Sequence, residues 1–283
     1  MSDDALSDPV ASLVREVDFG RYAATLFAPA PVRSHLFALY AFDIEISRVR
    51  DLVREPMPGE LRLQWWRDAL ENPERADVLS HPIARALHAA IVFGRLPTEA
   101  LLAIVDARGD DLYDDPVASL DELEGRLGTT HGAVLRLASL IVAEGRDPGG
   151  AAACGLAGVA QGIASVLGGL PKLAARGQAL IPAYLMAQTG AQRDDLLSGR
   201  ATPQLRLAVE RLAGHGVSRL GEARAAMAEM DRGAHPALLP VALAAAALAR
   251  IERRPDPFGA PRDPARWREL IRLWRFSRRD PPF

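Results

Sequence analysis

The stretch LFALYAFDIEISRVRDLV, Leu36–Val53, decides how this chain is read. Its apolar residues recur three and four apart, so it reads as one helix. The polar positions carry Asp43, Glu45, Arg48, Arg50 and Asp51 among apolar neighbours. Two carboxylates four residues apart on a helix lie roughly 6 Å from each other and can share magnesium. Asp43 and Glu45 instead lie eight and six residues before Asp51, which at about 1.5 Å per residue is too far for one ion. Glu45, Arg48 and Asp51, spaced by three, suit an internal salt-bridge ladder. The alternatives are direct binding of a diphosphate or another anion by Arg48 and Arg50, and a residual metal site drawn from Asp43, Glu45 and Asp51.

The helical period continues on both sides of this stretch. Ala, Leu, Arg and Glu dominate, and no period-two alternation is sustained, so the fold class is all-α. Proline and glycine mark helix boundaries at APAP (28–31), REPMPGE (54–60), GRDPGG (145–150) and RRPDPFGAPRDP (253–264). Between them lie roughly ten helices. The chain divides into an N-terminal tail over 1–17, a helical domain over 18–252, and over 253–283 a proline-rich linker followed by an amphipathic helix. Glycine- and alanine-rich segments between Ser119 and Pro182 either let helices approach closely or leave room for a bulky apolar ligand.

At 283 residues, 49% of them hydrophobic, the chain can bury a large core. A formal charge of -2 excludes a dedicated nucleic-acid binder. The acidic start MSDDALSDPV and the lack of a run near the roughly 20 apolar residues of a bilayer span give a cytoplasmic expectation. The single cysteine, Cys154, reads as a packed thiol. Every basic residue except Lys172 is arginine, so only the placement of arginines carries information. Trp65 and Trp66 read as core anchors, and His35, His81, His88 and His131 have no zinc-ligand spacing.

RYAATLFAPAPVRSHLFALYAFDIEISRVRDLV, LRLQWWRDAL, LLAIVDARGDDLYDD and AARGQALIP, in that order and spacing, resemble the squalene/phytoene synthase family over Asp18 to Arg279. The resemblance implies a type I isoprenoid synthase fold, a helical bundle around a central cavity. Active members join two prenyl diphosphates head to head, using magnesium held by aspartate-rich motifs on two helices. The first motif would fall on Ser47, Arg48, Val49, Arg50 and Asp51, where only Asp51 is acidic. The second would fall near Ser165, Gly168, Gly169, Lys172 and Leu173, yet no carboxylate lies between Cys154 and Pro182. Magnesium is therefore a cofactor only if the chain is active; otherwise none is expected.

This pattern is closer to a divergent branch that includes a mitochondrial complex I assembly factor. The resemblance thus implies a non-catalytic or altered-function protein that binds an isoprenoid diphosphate or other lipid and assists assembly intermediates of respiratory complex I. The alternatives are a prenyltransferase of squalene or phytoene type and a structural subunit of a related active synthase. Carried over by position, the ligand-binding candidates are Arg33, Tyr40, Glu45, Arg48, Asp51, Asp106, Arg108, Asp111, Gln161, Ser165 and Arg176. Arg21 and Tyr22 also match family positions and rank below Arg33 and Tyr40. Near the C-terminus, Trp267, Leu270, Ile271 and Trp274 form an i, i+3, i+4, i+7 stripe among arginines. It suits the protein's own bundle, a partner groove, or peripheral contact with the inner face of the cytoplasmic membrane.

Overall fold

The computed structural model describes residues 8–253, 256–259 and 265–283. Most of the proline-rich segment expected as a linker lies outside them. Within them the chain is all-α, with one isolated bridge between Gly149 and Met230. The first part holds α1 (Pro9–Val17), α2 (Phe19–Thr25), α3 (Arg33–Ser47), α4 (Val49–Leu52), α5 (Pro56–Glu71), α6 (Ala76–Ser80), α7 (Pro82–Gly94) and α8 (Thr98–Asp110). The middle holds α9 (Leu120–Leu127), α10 (Ala133–Val142), α11 (Ala151–Gly168) and α12 (Leu170–Ala175). The rest holds α13 (Ala183–Thr189), α14 (Arg193–Leu197), α15 (Pro203–Ala226), α16 (Val241–Glu252) and α17 (Arg266–Phe276). These described helices outnumber the roughly ten expected, because single-residue breaks invisible to hydrophobic period split several of them.

Local chemistry sets the boundaries. Asp8 caps α1 by accepting from the Val10 N–H, with Pro9 in the first turn, and Asp18 caps α2 by accepting from the Arg21 N–H. Ser119 caps α9 by accepting from the Glu122 N–H, and the Glu122 carboxylate accepts from the Ala118 N–H just before the cap. Residues 9–17, expected in a tail, instead form a helix because Val10, Ala11 and Val14 are buried against the core. The helix expected over Leu36–Val53 is broken at Arg48, between α3 and α4.

The core runs along α3, buried from Leu36 to Ile44, and along α11, which packs against α15 and α16. By length and hydropathy α11 would pass for a membrane span, contrary to the expectation from apolar run length. Its central place in the bundle accounts for that apolar character. Cys154 is buried in this helix, and burial pushes its thiol up to about 11. Trp66 is buried edge-on to Phe42, while Trp65 is half-buried and donates to Asp77, so only Trp66 is a full core anchor.

Between α9 and α10 the chain makes one turn of π-helix, Gly128–Gly132, against α11. There the small residues serve close approach. A Cβ on Gly158 would run into the Gly132 backbone, and one on Gly162 into the Leu127 side chain. Around Gly155 a Cβ would meet nothing within 4 Å. Gly158→Ala should therefore cost about 1–3 kcal/mol through overpacking, whereas Gly155→Ala should stabilise by roughly 0.5–1 kcal/mol through helix propensity. Urea unfolding of the two variants should show shifts of opposite sign; equal shifts would contradict this packing.

Candidate functional site

A cavity of about 390 Å³ opens between the end of α3, α4, the end of α8, α9, the π-turn and the α11–α12 corner. That volume is near the low end of the roughly 300–1,000 Å³ of small-molecule pockets, enough for one compact ligand. Seven basic side chains line it, Arg21, Arg48, Arg50, Arg108, Arg126, Lys172 and Arg176, against four carboxylates, Asp18, Asp43, Asp51 and Asp111.

Asp43 sits at the buried end, 4% exposed. It accepts from Arg21 Nη1 at 2.6 Å and from Arg108 Nη2 at 3.1 Å. Arg21 is also buried and lies 5.2 Å over the Tyr40 ring. From Arg108 the network runs on to Asp111 at 3.3 Å, which Arg126 contacts at 3.4 Å, and Gln178 donates to the Asp111 carbonyl. Burial opposes ionisation of Asp43, but the Arg21 and Arg108 guanidiniums outweigh it and hold the carboxyl well below its ordinary range. Burial likewise raises the Tyr40 phenol to about 12. The π-turn brings Thr130 and His131 to the same wall. Burial, reinforced by Arg108, pushes the His131 imidazole down to about 3, so it is neutral at physiological pH.

At the open end Asp51 accepts from Lys172 at 2.5 Å and from Arg176. Burial opposes its ionisation, yet these two bases hold its carboxyl below the usual value. Arg50 reaches Asp114 at 3.1 Å. The Nε groups of Arg50 and Arg108 are buried and find no acceptor in the protein. Donors of that kind are costly to leave unmade, and an anion in the cavity would satisfy them.

Of the residues expected to bind ligand, the cavity brings together Arg48, Asp51, Arg108, Asp111, Ser165 and Arg176, with Asp43 from the residual metal set. Glu45 faces the other way, into a groove with Trp65, Trp66 and His81. Among the described residues no ion pair joins Glu45, Arg48 and Asp51, so the expected ladder is absent. The break at Arg48 ends the common helix face, and Asp51 turns to Lys172 and Arg176 instead.

Asp106 also lies outside the cavity, paired on the surface with Arg67 at 2.5 Å. Arg33 donates to the Ala28 carbonyl and braces a turn. Tyr40 supports Arg21 from within the core, and Gln161 is on α11 outside the lining, its Oε1 without a hydrogen-bond partner. Arg21 therefore outranks Arg33 and Tyr40, reversing the order expected from sequence. Arg126, Lys172, Thr130 and His131 were not among the ligand-binding candidates. Only Lys172 carried a signal, as a base standing where an acid was expected.

These side chains do not fit magnesium. The ion requires several oxygen ligands at about 2.0–2.1 Å in near-octahedral array. Asp43, Asp51 and Asp111 are each engaged by two basic side chains. Among the described residues no group of three or more His, Cys, Asp and Glu could hold a metal ion.

Removing the Asp43 charge would leave two guanidiniums facing each other in the interior. Asp43→Asn should cost about 3–5 kcal/mol of stability, while Asp106→Asn at an exposed pair should stay within about 0.5 kcal/mol. Because the folded carboxyl is depressed, this stabilisation is complete above its ordinary value of 3.8 and is lost as pH falls through the depressed one. Chemical denaturation at neutral pH and on acidification should show the Asp43→Asn deficit shrinking below that value. A deficit constant with pH would contradict the pairing.

Several known proteins share this architecture. The sequence profile described as squalene/phytoene synthase matches residues 14–275. The complex I assembly factor 6 of Mus musculus is 30% identical over 241 residues, covering 85% of this chain and 72% of that protein. A dehydrosqualene synthase crystal structure superposes with a TM-score of 0.81 at 16% identity, covering 94% of this chain and 93% of the other. Squalene synthase HpnC from Alicyclobacillus acidocaldarius gives 0.75 at 22% identity, covering 87% and 92%. Those two likenesses establish the fold, the helical bundle of terpenoid synthases. With its profile match across most of its length, the chain belongs to the squalene/phytoene synthase family.

Proposed function

We propose that this chain is a non-catalytic member of its family, one that holds a phosphate-bearing isoprenoid or other anionic lipid in the cavity through guanidinium groups and assists assembly of respiratory complex I. The observation that carries the first half is the pairing of Asp43, Asp51 and Asp111 with two basic side chains each. A carboxylate committed in this way offers its lone pairs to N–H donors, and binding a metal would first require breaking charge-assisted hydrogen bonds. The excess of bases then draws an anion directly, with Arg48, Arg50 and Arg176 at the open end and Arg108 deeper. Support for the second half is the likeness to complex I assembly factor 6 over most of both chains.

Incubation with farnesyl or geranylgeranyl diphosphate and magnesium should release no diphosphate above the protein-free background. Metal-dependent turnover would overturn the non-catalytic reading in favour of a prenyltransferase. Deletion of the gene should lower assembled complex I with polyisoprenoid levels unchanged; intact complex I would overturn the assembly role.

A further inference from the structure

The C-terminal helix α17 docks on the bundle by one edge and presents another to water. Leu273 is fully buried with Ala23, Ala24 and Leu239, and Phe276 packs beside it. Further along the chain, Phe283 is buried, and its carbonyl accepts from Arg224 Nε at 2.8 Å. The apolar stripe is not what holds the helix: Trp267 is 57% exposed, Leu270 39%, Ile271 49% and Trp274 47%. At 3.6 residues per turn these four side chains cover an arc roughly 100° wide, with Arg268, Arg272 and Arg275 on the next arc.

The charges around this stripe are as unbalanced as its exposure. Residues 266–280 carry six arginines against Glu269 and Asp280, and Asp280 is engaged by Arg232 and His235. Arg268 lies 5.2 Å over the Trp267 ring and Arg278 lies 4.0 Å over Trp274, so each indole is edged by a cation. Arg250 on α16 adds to the positive field; burial, then Arg250 and Arg275, lower the pKa of Arg272. Four large apolar side chains in water and a band of mutually repelling guanidiniums are both unfavourable. One kind of surface relieves both, a plane of anionic headgroups over acyl chains. Tryptophan favours headgroup depth, and arginine keeps its guanidinium at the phosphates while its stem lies on apolar surface.

We propose that the outward face of α17 docks the protein on an anionic lipid surface. Trp267, Leu270, Ile271 and Trp274 enter the headgroup layer, and Arg268, Arg272, Arg275 and Arg278 meet lipid phosphates. The helix lies in the plane of the surface, since its opposite edge is fixed to the bundle by Leu273.

The test uses the full chain with vesicles of phosphatidylcholine alone or mixed with phosphatidylglycerol. Co-sedimentation should occur with the mixed vesicles, weaken with salt, and be weak with phosphatidylcholine alone. W267A/W274A and R268E/R272E/R275E should each lower vesicle affinity about tenfold or more, with far-UV circular dichroism unchanged because the substituted side chains are exposed. In the unaltered chain, brominated lipid should quench part of the tryptophan emission, which needs no variant to fold. Absence of vesicle binding, equal binding to both vesicle types, or binding retained by both variants would overturn the proposal. Self-association or capture of a soluble protein that depends on Trp267 and Trp274, without vesicle binding, would assign the face to a protein partner instead.

Discussion

One buried carboxylate organises the centre of this protein. Asp43 joins three helices through two guanidiniums, Arg21 on α2 and Arg108 near the end of α8, while its own position is set by α3, a helix buried along most of its length. An unpaired charge at that depth would cost several kcal/mol. The pairing therefore determines where α2 and α8 can sit relative to α3. It also fixes the electrostatics of the cavity, because Arg108 is held between Asp43 and Asp111 with its Nε free of any protein acceptor.

The same constraint separates this cavity from a magnesium site of the kind its family resemblance suggests. Metal-binding carboxylates must be held open, with lone pairs directed at a common point. Here the acids are consumed by bases, most plainly Asp51 by Arg176 and by Lys172, which stands where an acid was expected. A fold that matches a synthase over nearly its whole length thus carries a cavity in which basic side chains outnumber carboxylates. Fold and chemistry are separable: the bundle supplies a pocket, and the side chains decide what it takes.

Helical period revealed the fold class, and the order of four motifs revealed the family. The missing acids between Cys154 and Pro182 were also legible, since an absence needs no geometry. Pairing was not. The ladder expected from Glu45, Arg48 and Asp51 assumed one continuous helix, and a single non-helical residue at Arg48 rotated Asp51 away from the other two. Position in the sequence ranked Arg33 above Arg21, although both are arginines near helix starts. Only the tertiary fold shows that one braces the Ala28 carbonyl and the other reaches Asp43 across 22 residues. His131 and Thr130 reach the cavity through a π-turn, a feature with no hydrophobic periodicity of its own. The C-terminal stripe was legible as amphipathic, but which edge meets the bundle depended on Leu273 fitting beside Ala23 and Ala24.

We propose that guanidinium groups, and no metal, receive the anion. Calorimetric titration of the full chain with inorganic diphosphate in the presence of EDTA tests it most directly. Binding should persist in the chelator and weaken about tenfold in Arg48→Ala, in line with the loss of one charge-assisted contact. Binding that appears only when magnesium is supplied, or that is unchanged in Arg48→Ala, would contradict it.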